Sequence, residues 1–210
     1  MRIRRLPVAL TAPLTLALLV AGAPPGLAQS LAAGTVRSAN GVLVVVRTDG
    51  VENHLQGRRT LQVFEGDTLR IDGKGEALVE TEDGIQAALT GNTVVKLLSR
   101  WEKGKGVTRI LRVQRGEVWG RSKDARRTLE IETPVGILSA RAAEVSVRLV
   151  SAEEAIATVV QGTADLATPL SACELRAGTV SHAYRGRACT APKVADVQPI
   201  IGWSHPLLIR

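Results

Sequence analysis

The residues best able to do chemistry are concentrated in 64-FEGDTLRIDGKGEALVETEDG-84, a stretch dense in carboxylates and glycines. A calcium loop of the EF-hand kind needs acidic or amide oxygens at alternate positions before its glycine, and a glutamate at the twelfth position. Here Lys74 interrupts the pattern and the closing glutamate is absent. Asp72-Gly-Lys-Gly75 and Asp83-Gly84 read instead as turns, since glycine supplies positive φ and aspartate bonds its own turn backbone. Glu80 and Glu82 share one side of an expected strand, while Glu65, Asp67 and Asp83 fall in turns as solvated carboxylates. The stretch is expected to be structural, neither a metal site nor an acid–base pair.

Other reactive residues are few. His54, His182 and His205 lie far apart and none sits in a motif. No Gly-x-Ser-x-Gly, His-Glu-x-x-His or phosphate-loop pattern occurs, so neither catalysis nor a cofactor is expected, and a hydrolase site assembled from separate loops is the least favoured reading. Cys173 and Cys189 are too far apart for a CxxC redox pair. In an oxidising compartment they are expected to form a structural disulfide.

Charge is the stronger asymmetry. Residues 100–127 hold Arg100, Lys103, Lys105, Arg109, Arg112, Arg115, Arg121, Lys123, Arg126 and Arg127 against only Glu102, Glu117 and Asp124. Trp101 and Trp119 lie in the same segment. Trp101, Arg109, Arg112, Trp119, Arg121, Lys123, Arg126 and Arg127 are therefore the candidate contact residues for an anionic partner. An envelope protein and an anionic glycan are the two partner classes. The competing reading is a solvated face whose Lys and Arg guard strand edges against aggregation.

The elements that carry these residues follow from length and patterning. At 210 residues the chain suits one domain with a leader and a tail. Arg2, Arg4 and Arg5 precede an apolar run from Val8 to Ala21, and small residues close it at Gly26-Leu-Ala28. Residues 1–28 read as a cleaved secretory signal, because the run is too short for the ~30 Å hydrocarbon core. No later segment is apolar enough to span a membrane, and export argues against a nucleic-acid partner. Nothing in the sequence sets the oligomeric state. From Val42 to Tyr184, short alternating runs of Val, Leu, Ile and Thr recur between Gly and Asp-Gly turns, with no sustained helical period. That pattern predicts an all-β sandwich or roll of many short antiparallel strands over residues 29–185. Ser151-Ala-Glu-Glu154 matches a capping box but leads into β-branched residues, so a hairpin turn is expected there. Pro192 and Pro199 predict an extended tail over 186–210, with an apolar end packed on the domain.

The order of the turn phrases resembles the periplasmic domain of the FecR family. Gly34-Thr-Val36, Gly66-Asp67, Asp83-Gly84, Asn92-Thr93, Arg115-Gly-Glu-Val118, Thr133-Pro-Val-Gly136, Val145-Ser-Val147 and Val159-Val-Gln-Gly162 occur in the family's order. Arg141-Ala-Ala-Glu144 departs from it, replacing the usual Gly-Thr and aromatic. The resemblance implies a β-rich binding module of a Gram-negative-type envelope. Signalling members also carry a cytoplasmic sigma-factor-binding segment and a membrane span. With a signal peptide in their place, this chain is expected to be a free periplasmic module.

Overall fold

The computed structural model describes residues 31–104 and 106–209; the expected signal peptide lies outside them. The alternating runs become strands because one side of each is apolar and buries while the other meets solvent or a second element. In chain order these are β1 (Ala32–Asn40), β2 (Val42–Val46), β3 (Glu52–Gln56), β4 (Thr60–Phe64), β5 (Thr68–Ile71) and β6 (Glu76–Thr81). Next come β7 (Gln86–Leu89), β8 (Thr93–Glu102), β9 (Gly106–Ser122), β10 (Thr128–Thr133), β11 (Gly136–Ala140) and β12 (Ala143–Ser151). The series ends with β13 (Glu154–Gln161), β14 (Thr163–Ala167), β15 (Ala172–Arg176), β16 (Thr179–Tyr184), β17 (Lys193–Val194) and a helix, α1 (Gln198–Ile209).

The strands form two layers joined by β9, which is long enough to belong to both. One layer runs β4-β1-β6-β7-β9-β12-β13-β16-β17, using the C-terminal part of β9. The other runs β3-β2-β5-β8-β9-β10-β11-β14-β15, using its N-terminal part. Strand β9 passes between layers at Gly116. There φ is +91°, and a Cβ would fall 2.3 Å from Thr93 Oγ1, so only glycine fits. Every pairing is antiparallel except β9 with β10. That exception follows from the bend. Strand β9 begins in one layer and ends in the other at the same end of the molecule, and loop 123–127 crosses back to start β10 beside the beginning of β9.

The interior is one apolar cluster between the layers. Val36, Leu69, Val118, Leu129, Ile131, Val145 and Val159 are inaccessible to solvent, and Val79 is buried beside them. Gly120 allows close approach of the layers, since a Cβ there would meet Leu129 Cδ2 at 2.5 Å. The Gly-Asp phrase also has a physical role. Asp67 is buried, its carboxylate accepting from Phe64 N–H at 2.8 Å and from the Arg47 guanidinium, while Gly66 N–H donates to Leu97 O at 2.8 Å. Cys173 and Cys189 form the expected disulfide, tying edge strand β15 to the chain leaving β16. Residues 152–153 make the hairpin turn between β12 and β13.

The tail departs from expectation. It is not extended throughout: Gln198–Ile209 is helical. Pro199 sits in the first turn, where backbone N–H groups have no intrahelical acceptor, and Asp196 Oδ1 takes the Gln198 N–H at 2.9 Å. Pro206 interrupts the third turn, so tertiary contact has to hold the helix. Leu207 is buried against Leu78, Ala88 and Trp119 on the outward face of the first layer, and Arg37 Nη2 donates to Leu207 O at 3.0 Å.

Candidate docking site at the loop end

Three connections gather at the end where β9 starts and finishes: the β8–β9 hairpin tip, loop 123–127 and the β11–β12 crossover. Gly104, Gly106, Asp124, Ala125, Arg126, Arg127, Thr128 and Arg141 line a cleft of about 700 Å³ there. Loop 123–127 is held in shape from below. Ser122, itself buried, donates its hydroxyl to Asp124 O at 3.1 Å and Arg127 O at 2.9 Å, and Arg127 N–H donates to Asp124 O at 3.0 Å. Asp124 accepts the Arg126 N–H at 2.9 Å. That backbone bond first, and the Arg126 guanidinium second, hold the exposed carboxyl below its ordinary value. Arg126 stays 90% exposed, and Arg141 reaches Thr128 Oγ1 at 2.8 Å. Trp101 stands beside the cleft: it pairs with Val107, next to the Glu102–Gly106 pair, and is 69% exposed.

The eight candidate contact residues separate into two groups. Trp101, Lys123, Arg126 and Arg127 surround this end and are open to a partner. Arg109 is not: its Nε lies 2.9 Å from Asp83 Oδ2 and its Nη1 donates to Ser99 Oγ at 2.9 Å, in a largely buried pair that joins the two layers. Arg112 is exposed but faces Glu132 on neighbouring β10 at 2.8 Å. Arg121 donates to Gln86 Oε1 at 2.6 Å and lies over the Trp119 ring, 5.6 Å from its centroid. Trp119 offers no contact area. It is fully buried beneath α1, with Nε1 donating to Glu144 Oε1 at 2.9 Å. Strand alternation had divided these side chains between outward and inward positions, and the tail covered one of the outward ones.

The Arg141-Ala-Ala-Glu144 departure acquires a role in two directions. Arg141 supplies a cation to the cleft, which its place outside the basic segment concealed. Glu144 is buried and receives both Trp119 and His205 Nε2, anchoring α1. The acidic stretch is likewise structural, although Asp67 and Asp83 are buried and paired where solvated carboxylates were expected. Among the described residues, no group of three or more His, Cys, Asp or Glu side chains is placed to hold a metal ion. No described helix is long and apolar enough to cross a membrane.

The fold and its phrases have known counterparts. A family model described as FecR protein matches residues 67–165. The matched span runs from the Gly-Asp turn into β14 and takes in all three connections of the loop end, while β1–β4, β15–β17 and α1 lie outside it. Two crystal structures, at 1.65 and 2.50 Å resolution, of a protein from Parabacteroides distasonis ATCC 8503 described as a candidate anti-sigma factor share the fold. They align at TM-score 0.53 with 17% and 16% identity, over 65% of this chain and 63% of theirs. The chain thus matches less than two thirds of the length of those relatives. No curated protein matches the chain.

Proposed function

We propose that this protein is a non-catalytic interaction module of the cell envelope, exported to the periplasm, that engages an acidic face of an envelope protein in regulation or assembly. The observation that carries the reading is the loop-end cleft: Arg126, Arg127 and Arg141 against a single Asp124, with the exposed Trp101 one register pair along the hairpin from cleft-lining Gly106. Trp and Arg are the residues most enriched among binding hot spots, and the rigid sandwich presents them on short, internally bonded connections. The FecR domain, and the description of its structural relatives as anti-sigma factors, support regulation over catalysis. A disulfide fits the oxidising compartment that export implies.

The test is a combined Arg126→Glu, Arg127→Glu and Arg141→Glu variant, compared with the parent for capture of envelope proteins by photo-crosslinking from position 101. Loss of a dominant protein adduct supports the reading. An unchanged adduct pattern removes the cleft from it, and adducts to glycan alone would transfer it to an anionic polysaccharide.

A further inference from the structure

The outward face of the first layer is unevenly covered. Alternate side chains point to it, so cross-strand register defines its rows. One row runs Trp119, Ser146, Thr158 and Val180 across β9, β12, β13 and β16, and the next runs Glu117, Arg148, Ile156 and His182. Helix α1 seals the apolar Trp119 end through Leu207. Farther along, Pro199, Ile200 and Trp203 form a wall instead of a seal, leaving a cleft of about 440 Å³ floored by those two rows. The volume falls within the range of about 300–1,000 Å³ usual for small-molecule sites. Three strand spacings and a two-residue repeat make the floor roughly 14 Å by 7 Å.

The floor is polar in an ordered way. Ser146 Oγ donates to Glu117 Oε1 at 3.1 Å, and His182 Nδ1 lies 2.8 Å from Glu154 Oε1. Among the described residues, the Thr158 hydroxyl and the Arg148 guanidinium have no protein partner. Hydroxyls, a carboxylate, an imidazole and a guanidinium thus interleave donors and acceptors over a small area. Opposite them stands Trp203, whose ring is apolar on its face and polar only at its edge. A wholly apolar ligand would leave these floor groups desolvated without bonds. An anionic ligand would meet Glu117 and Asp196, with only Arg148 to compensate.

We propose that this cleft binds a neutral saccharide of one or two rings, its C–H face on Trp203 and its hydroxyls on Ser146, Thr158, Arg148 and Glu117. This site is separate from the basic loop end and independent of the function assigned there. The experiment is titration of the ¹⁵N-labelled mature chain with cellobiose, maltose and chitobiose, and with glucuronate as the anionic control. At least one neutral disaccharide should shift the amides of Ser146, Thr158 and His182 together with the Trp203 indole, and glucuronate should not. Trp203→Ala and Thr158→Val should each weaken that binding about tenfold, equivalent to ~1.4 kcal/mol. Trp203→Ala also removes helix packing, whereas Thr158→Val changes only the floor. Absence of shifts with all three disaccharides, shifts located away from the cleft, equal binding of glucuronate, or full affinity in Thr158→Val would each overturn the proposal.

Discussion

Leu207→Ala should release the tail helix without unfolding the sandwich. Among the described residues, Leu207, 1% exposed, is the apolar α1 side chain buried against Leu78, Ala88 and Trp119; Ile200, Trp203 and Leu208 pack there only in part. Its truncation costs roughly 2–5 kcal/mol where the cavity does not collapse. Against it stands a helix of twelve residues, interrupted by Pro206, whose ordering consumes much of what its contacts provide. A loss of about 3 kcal/mol raises the undocked population roughly a hundredfold. The interior between the layers shares no side chain with this satellite cluster, so its stability should change far less. Hydrogen exchange is the direct assay: α1 amides should lose protection while those of β9, β12 and β13 keep theirs. Trp119 fluorescence, isolated in a Trp101→Phe, Trp203→Phe background, should move to the red and become quenchable. Unchanged α1 protection, or simultaneous loss across both layers, would refute the view of the helix as a separately docked element.

Three further outcomes follow from other contacts. Replacing Cys173 and Cys189 by serine should cost about 3 kcal/mol in the loop-entropy account, which lowers Tm by roughly 6–12 °C in a domain of this size; calorimetry with and without reductant on the parent provides the comparison. Gly116→Ala should cost more than the ~1–3 kcal/mol of a strained backbone alone, because its Cβ would also meet Thr93; a urea midpoint equal to the parent's would contradict the account of the β9 bend. Tyr184, the chain's one tyrosine, has its phenol pushed above the ordinary 10.0, by desolvation first and then by the Glu154 carboxylate. Raised in the fold, it favours the native state below pH 10 and loses that contribution as pH climbs through the folded value. Tyrosinate absorbance should therefore show a late midpoint that Glu154→Gln brings earlier.

The sandwich was legible because its signals are local. Gly66, Gly84 and Gly116 mark turns or bends that require positive φ, and the apolar runs between them have the two-residue period of buried strands. The chemistry of the surface was less legible because it depends on pairs distant in sequence. Arg109 meets Asp83, and Arg112 meets Glu132, only after β8, β9 and β10 are side by side. Charge density along residues 100–127 could not reveal that these arginines are neutralised across strands, nor that Arg141 joins the cleft from another connection. Trp119 looked like contact area because its cover comes from residues 198–209. Ile200, Trp203, Leu207 and Leu208 do carry a helical spacing there, but Gly202 and Pro206 mask it.

The most direct test of the loop-end claim is in-cell crosslinking from a photoreactive residue at Trp101, with Val150, an exposed position near the end of β12, as the comparison. The account predicts a dominant envelope-protein adduct from position 101, absent from position 150, and abolished when Arg126, Arg127 and Arg141 are reversed to glutamate. The same adducts from both positions, or an adduct from 101 that survives the reversal, would contradict it.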